Sequence, residues 1–249
     1  MSVIVVPAAP PREGLVLPRL SETSPLSAAE AADLYEVMLQ DVCRTVEESG
    51  GDLLVNYLPD DRIDERHRQD TPAEEAVRET VTEALDDPEF PRFEEQVGSN
   101  YSARVGNTVT HLLEREGAKS VEVVRPTAPA IGRPGIDETA MKLRRRDVVL
   151  GASTGGRVYL AGFSDTIDFE DAFAPPPVET LAARGRAAGL DVDFIEFGTL
   201  VETGDDLASL TSLLRAHHEA GRIVPERTLA MIDQLGLVVG DGELRTEDS

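Results

Sequence analysis

A glycine-rich turn near the middle of the chain has the residue types of a loop that binds anions or sugars. The run Ala152–Arg157 reads ASTGGR and lies between two apolar runs, Val148–Leu150 and Val158–Leu160. Glycines let the backbone approach a ligand closely, so the N–H groups of Ser153–Gly156 could hold a phosphate or a sugar. A plain tight turn between two strands is the alternative interpretation.

Arginines supply the positive charge that such a ligand would need. Arg12 and Arg19 are the only cations of a Pro- and Gly-rich loop over residues 7–24, which follows the first apolar run. Arg125 directly follows another apolar run, and Arg157 ends the glycine-rich turn. A guanidinium group presents several donors in a fixed fork that matches phosphate oxygens. These loops therefore predict a ligand site if the fold brings them to one edge.

Apolar strands alternating with amphipathic helices must position these loops. Ser2–Val6 is nearly all apolar, which indicates a buried central strand, and Leu53–Tyr57 predicts a second one. Between them, Ser27 and Glu30 have the capping-box spacing of a helix that ends at Gly50. The alternation predicts an α/β fold of three layers, α/β/α, around a mostly parallel central sheet. Open sheets of this kind bind ligands at the carboxyl ends of their strands.

Other segments predict further helices and the limits of the domain. Thr71 is expected to cap one helix and Thr203 another, and an apolar stripe predicts a helix over Tyr101–Glu116. We expect a single domain over residues 1–239 and a disordered acidic tail over residues 240–249.

The charge balance excludes several classes of partner. Of the 249 residues, 47 are acidic and 24 are Lys or Arg, which gives a net charge of −23. Such a surface repels nucleic acid and anionic membranes. The acids are spread along the chain, which favours a halophilic protein whose self-repulsion is screened by salt. Steering of a cationic partner is the alternative.

Sequence patterns for export, membrane insertion and zinc binding are missing. No run of about 18 apolar residues and no signal-peptide pattern occur, so we expect a cytoplasmic protein. The single cysteine, Cys43, lies on the apolar side of a predicted helix and is expected in the core. The four histidines lack any metal-binding spacing.

Four segments, taken in order, match the motifs of one family. In that family they read K-T-R-L with a later leucine-aspartate pair, G-S-D-x-P, V-V-L-G-P-x-x-D-G-G-Y-Y-L-I-G, and D-x-D-T-P-E-D-L. The matching segments here are Arg19-Leu20 with Leu39 and Asp41, Arg125–Pro129, Val148–Gly162, and Leu200–Leu207. Together they resemble the nucleotide-diphospho-sugar transferase (glycosyltransferase A) fold, in particular its selenodomain-associated transferase-like branch. The 2-phospholactate guanylyltransferases are similar but more distant.

The resemblance implies a nucleotide or nucleotide-sugar ligand and a glycosyl- or nucleotidyl-transfer reaction. The ligand would lie over the loops Ala8–Arg19, Arg125–Pro129 and Ala152–Arg157, with Glu202 and Arg157 in catalytic roles. The implied substrate-binding residues are Arg12, Arg19, Arg125, Thr127, Ser153, Gly155, Gly156 and Tyr159.

Other residue types occupy the positions where the family has its acids and its lysine. Thr127 replaces the aspartate of G-S-D-x-P, which would hold a divalent metal, and Gly155 and Leu200 replace two further aspartates. Leu17 replaces the lysine of the first motif. Glu202 is the carboxylate left at the metal-side positions. No metal ligand is therefore assigned, and Mg²⁺ or Mn²⁺ is expected only if a metal site persists.

Two classes of function follow from these departures. The first is a transferase, metal-dependent or with altered, metal-independent chemistry in which Arg19, Arg125 or Arg157 neutralises the leaving phosphates. The second is a catalytically inactive relative that binds nucleotides or other ligands as an interaction module. A Rossmann dehydrogenase is not supported, because no G-x-G-x-x-G follows the first strand.

Overall fold

The computed structural model of the chain describes residues 2–247. A seven-stranded central sheet has the strand order β3-β2-β1-β4-β6-β5-β7, and β6 runs antiparallel to both of its neighbours while the other pairs are parallel. This arrangement confirms the predicted mostly parallel sheet. The strands are β1 Ser2–Ala8, β2 Asp52–Tyr57, β3 Arg92–Glu95, β4 Ser120–Val124, β5 Val148–Ala152, β6 Val158–Phe163 and β7 Val192–Ile195.

Helices cover both faces of the sheet. Along β1, Ile4 and Val6 face one apolar cluster together with side chains of α2, α3 and α5, whereas Val3 and Val5 face a second cluster with side chains of α4 and α6. The period-2 alternation of a strand produces this division and gives the three predicted layers. The helices are α1 Pro18–Thr23, α2 Ala28–Ser49, α3 Ala73–Thr82, α4 Tyr101–Glu114, α5 Gly132–Lys142, α6 Pro177–Ala187, α7 Gly204–Glu219 and α8 Glu226–Gln234.

The sequence predicts a capping residue for the start of α2, α3 and α7, and the structure confirms two of these three caps. The Ser27–Glu30 capping box begins α2, and Thr203 caps α7, both as predicted. The expectation that Thr71 caps α3 is wrong. The residue that precedes this helix is Pro72, which has no side-chain group that could cap it. The carboxylate of Asp60 instead accepts a 2.8 Å hydrogen bond from the N–H of Ala73. Because this cap comes from 13 residues away, the spacing rules could not find it.

The chain end forms a hairpin rather than the disordered tail that we expected. Strand β8, Leu237–Gly240, pairs antiparallel with β9, Glu243–Thr246, and Leu237 is fully buried beside α7 and α8. Asp241 and Gly242 form the two-residue turn, both with positive φ (54° and 84°). An Asp-Gly pair between short β-type runs is a strong hairpin signal. The prediction of a disordered tail gave weight to the acidic composition of this segment and not to the Asp-Gly pair. The last two residues of the predicted tail lie outside the described residues.

The strand order fixes where a ligand crevice opens. From β1 the chain proceeds to β2 on one side, whereas β4 pairs with β1 on the other side. The connections therefore diverge between β1 and β4, which is the topological switch point of an open sheet. Within residues 2–247, no helix has the length and apolarity needed to cross a bilayer.

Candidate functional site

A cavity of about 350 Å³ lies at the carboxyl ends of β1 and β4. Its walls come from the loop after β1, the loop after β4, the start of α4 and the loop before α7. Most of the lining is apolar, and the charged lining residues are three arginines and one glutamate. The polar and charged side chains of the lining are Arg19, Tyr35, Gln96, Tyr101, Arg104, Arg125, Thr127 and Glu202.

Arg125 is held in the cavity wall by an aromatic ring and a carboxylate. Its guanidinium carbon lies 5.0 Å from the ring centroid of Tyr101, and Nη2 donates a 2.9 Å hydrogen bond to Glu202. The backbone N–H of Arg125 donates to the carbonyl of Tyr159 on β6, which fixes the start of the loop. Burial alone would lower the pKa of Arg125, but the neighbouring Tyr101 and Glu202 more than offset this effect and raise the pKa. Arg125 is therefore a fixed, permanent cation.

Glu202 stands at the centre of a cluster of arginines. Its carboxylate lies 2.9 Å from Arg125, 3.4 Å from Arg157 and 3.9 Å from Arg19. The Glu202 side chain is 23% exposed, whereas that of Arg19 is 65% exposed. The contact with Arg125 is therefore the strongest of the three, and Arg19 is free to turn toward a ligand.

Asp206 is the second acid of the cluster, and it holds Arg157. The guanidinium of Arg157 donates to both Asp206 oxygens, one of them at 2.8 Å. The same carboxylate closes the capping box of α7 with Thr203. Burial would raise the pKa of Asp206, but the hydrogen bonds from Arg157 and Thr203 outweigh burial and lower the pKa to about 2. The capping-box pattern pointed to Asp206 as a helix cap but not as the partner of Arg157.

The glycine-rich turn lies beside the cavity and positions Arg157. Gly155 and Gly156 have φ values of 66° and 71°, and a Cβ at Gly156 would lie only 2.9 Å from Pro176. Both glycines are thus required by the backbone. Thr154 donates to Asp206 at 3.1 Å and also contacts Arg157. Ser153 is buried, and neither it nor the glycines line the cavity. The tight-turn interpretation describes this loop better than a ligand cradle.

Two other predicted substrate-binding residues lie in structural positions outside the cavity. Arg12 is 2% exposed, and its guanidinium donates to Asp60 and to two backbone carbonyls of the loop before α3. Tyr159 is 5% exposed, and its hydroxyl donates to the carbonyl of Glu196 at 2.8 Å. Arg12 therefore connects the loop after β1 to the loop before α3, and Tyr159 packs in the core against Gly151 of β5 and Gly198 after β7.

The cavity also contains side chains that sequence reasoning did not single out. Tyr101 and Arg104 come from the first turns of α4, and Tyr35 comes from α2, where its hydroxyl accepts a 3.0 Å hydrogen bond from the N–H of Ala9. Gln96, which directly follows β3, donates to the carbonyls of Ala8 in β1 and Asn56 in β2. No motif marks these residues, and only the packing of α2 and α4 against the sheet brings them to the loops after β1 and β4.

The acids of the site do not fit a divalent metal. Mg²⁺ and Mn²⁺ take oxygen ligands, mainly carboxylates and waters, and Thr127 supplies only a hydroxyl. That hydroxyl is buried and has no hydrogen-bond partner among residues 2–247. Both nearby carboxylates, Glu202 and Asp206, are engaged by arginines. Over the same residues, no group of three His, Cys, Asp or Glu side chains is placed to bind a metal ion.

Comparison with solved structures identifies the fold, while comparisons with protein-family models and with curated proteins find no match. A protein of Desulfovibrio desulfuricans G20, assigned as a nucleotide-diphospho-sugar transferase, superposes with a TM-score of 0.74 at 21% identity, over 94% of each chain. The 4-diphosphocytidyl-2C-methyl-D-erythritol synthase of Anaerococcus prevotii DSM 20548 superposes with a TM-score of 0.51 at 13% identity, over 86% of this chain and 96% of that one. The chain therefore has the nucleotide-diphospho-sugar transferase fold.

Proposed function

We propose that this protein binds a nucleotide or nucleotide sugar in the cavity and that arginines, rather than a metal ion, neutralise the phosphates of the ligand. The observation that carries the proposal is the arginine cluster around Glu202, at the switch point of the sheet, in a chain with a net charge of −23. In a protein with this large negative net charge, the overall composition does not account for a group of arginines at one mainly apolar cavity. An anionic ligand accounts for this group.

The geometry supports a distinct role for each charged group in this proposal. Arg125 is hydrogen-bonded to Glu202 and Arg19 is exposed, so the first would define the phosphate position and the second would close over it. Glu202 keeps Arg125 and Arg157 in place before the ligand arrives. During transfer, the guanidinium groups would stabilise the charge that develops on the leaving phosphate. The apolar wall, with Tyr35 and Tyr101, suits the base and the sugar.

The alternative is a protein that binds a nucleotide but transfers nothing. Glu202 is the only carboxylate among the cavity-lining residues, and it is already paired with arginines. No lining residue within 2–247 is a cysteine, histidine or serine that could act as a nucleophile or a general base. A transfer reaction would therefore require the acceptor to attack without an enzyme base, which favours acceptors that are themselves anionic.

Calorimetric titration with nucleoside mono-, di- and triphosphates and nucleotide sugars, in molar KCl, tests the proposal. Binding should be the same in EDTA and in Mg²⁺. The variant Arg19→Gln should weaken binding about 10-fold, as expected for one charge-assisted hydrogen bond. The matched control is Arg133→Gln, which removes a similarly exposed, ion-paired arginine from α5. Phosphorus NMR spectra of the bound nucleotide, recorded over hours, distinguish the two functions. A transferase forms new phosphorus-containing products, whereas a protein that only binds the nucleotide leaves the spectrum unchanged.

Two outcomes would refute the proposal. If no nucleotide or nucleotide sugar binds, the cavity serves another ligand. If binding appears only with Mg²⁺ or Mn²⁺, the inference from Thr127 and from the paired acids is wrong.

A further inference from the structure

Arg104 differs from the other arginines of the cavity because it has no carboxylate partner. Glu202 is shared by Arg19, Arg125 and Arg157, and Asp206 also binds Arg157. Arg104 forms no ion pair with any of residues 2–247, and its Nε is buried without a hydrogen-bond partner. The cavity therefore contains one cation whose charge the described part of the chain leaves uncompensated.

Three features make this position unfavourable for a cation. Arg104 lies at the end of the first turn of α4, where the helix dipole is positive. It is half-buried, and the charge of Arg62 lies close enough to act on it. Burial lowers the pKa of Arg104; the neighbouring Tyr101 opposes this effect, and the positive charge of Arg62 adds to it. An unpaired guanidinium retained under these conditions is expected where an anion from outside the chain completes the site.

The neighbouring Tyr101 also offers an unused group. Its hydroxyl is buried and has no hydrogen-bond partner among the residues that the structure describes. Arg125 lies over the ring and near enough to act on the hydroxyl, and Arg104 follows three residues later on the same helix, so both arginines adjoin Tyr101. One face of the ring contacts Arg125, and the hydroxyl is available for a second ligand group. A phenol and a guanidinium together form a donor set for a carboxylate or a phosphate.

We infer that Arg104 and the Tyr101 hydroxyl form a second anion subsite, which binds a carboxylate or phosphate group of the acceptor substrate. This inference rests on the proposed function, in which Arg19 and Arg125 bind the phosphates of the nucleotide. The two subsites share the Tyr101 wall of one cavity, so an acceptor held by Arg104 lies beside the nucleotide. An acceptor with its own negative charge also fits a cavity that lacks a free general base.

Calorimetry with inorganic phosphate, at an ionic strength fixed with KCl, tests the subsite without knowledge of the acceptor. Phosphate should bind to the wild type both alone and when a nucleoside monophosphate is already bound. Arg104→Gln should lower the phosphate affinity at least 10-fold in the second titration, and Arg104→Lys, which keeps the charge but loses the fork, should lower it less. The matched control is Arg115→Gln, at the exposed end of the same helix, with no expected change.

Titrations with nucleotides show whether the anion bound by Arg104 belongs to the acceptor or to the nucleotide. Loss of the Arg104 charge should weaken the binding of nucleoside monophosphate and triphosphate only by a few-fold and to a similar extent, as expected for a charge that does not contact the nucleotide. If the triphosphate alone weakens 10-fold, Arg104 holds a distal phosphate of the nucleotide and the acceptor assignment is wrong. If phosphate binding is unaffected in Arg104→Gln, the subsite does not exist. The phosphate titration in the absence of nucleotide remains informative if no nucleotide binds, so the two proposals can fail separately.

Discussion

Replacing Glu202 by glutamine should strengthen the binding of an anionic ligand. The carboxylate occupies the space among Arg125, Arg157 and Arg19 that a phosphate would share, so it competes with the ligand for the same donors. Glutamine keeps the shape and an acceptor oxygen for Arg125 but removes the negative charge. If Glu202 were a metal ligand, the same change would weaken binding, and only in the presence of the metal. The sign of the effect therefore separates the two mechanisms.

The magnitude follows from Coulomb's law and the exposure of the site. Glu202 is partly exposed in a cavity that opens to solvent, so we use an effective dielectric constant between the values for a protein surface and for bulk water. Two like charges about 7 Å apart, in a medium of effective dielectric constant about 40, repel each other by about 1.2 kcal/mol, which is about 7-fold in affinity. A ligand with two charges near the cluster should gain more, up to about 50-fold.

Isothermal titration with a nucleoside diphosphate, in EDTA and at one salt concentration, measures this gain. The control Asp233→Asn makes the same charge change in an exposed ion pair on α8 and should leave the affinity unchanged. Thermal unfolding of each variant shows whether the fold is retained, because Arg125 loses its charged partner. Unchanged or weaker binding by a folded Glu202→Gln protein would refute the competition between the carboxylate and the ligand.

The remaining predictions concern stability and can be measured by urea or thermal unfolding. Burial raises the pKa of Glu122 on β4 to about 8, so its ionisation opposes folding as the pH rises; from pH 5 to pH 8 the stability gained by Glu122→Gln should grow by about 3–4 kcal/mol. The low pKa of Asp206, about 2, stabilises the fold above pH 4; Asp206→Asn should cost about 1–2 kcal/mol at pH 7, after discounting for solvent screening, and the difference should vanish as the pH falls from 4 to 2. A Cβ at Gly204 would lie 2.1 Å from the carbonyl oxygen of Thr23; Gly204→Ala should lower the unfolding midpoint by about 4–8 °C, whereas Gly240→Ala, with open space around it, should change it little. A pH-independent difference between Glu122→Gln and the wild type, an Asp206→Asn difference that persists at pH 2, or equal midpoints for the two alanine variants would contradict the corresponding argument.

Local signals in the sequence predict the elements of this fold well because most of them act within a few residues. The Ser27–Glu30 box, for example, begins α2 by satisfying free N–H groups in its own first turn. The start of α3 could not be predicted in this way. Its cap comes from Asp60, which Arg12 holds in place across a loop. That interaction exists only after the loops have met.

The candidate site is predictable only where a motif fixes the position of a residue relative to a strand end. Arg125 and Thr127 follow β4 directly, so both reach the cavity. Tyr159 is the second residue of β6, a strand that is buried on both faces, so its side chain lies in the core. Arg104 cannot be found from spacing, because its role depends on which face of α4 packs over the end of β1. The place of the chain in the selenodomain-associated branch, and its adaptation to salt, stay predictions.

The substitutions at the family's acidic positions form a consistent set when their charges are considered together. The motifs that this chain resembles place aspartates around a divalent cation, which the protein must acquire from solution. Here Thr127 and Leu200 carry no charge, and Arg157 stands where the third motif has a glycine. The remaining acids, Glu202 and Asp206, are balanced by arginines. If the metal ligands were absent and no arginines were present, the phosphates would have no counter-charge. If the arginines were present together with the metal ligands, their positive charge would repel the metal. Both changes occur at the same edge of the sheet, which supports our proposal that the arginine cluster takes the place of the metal.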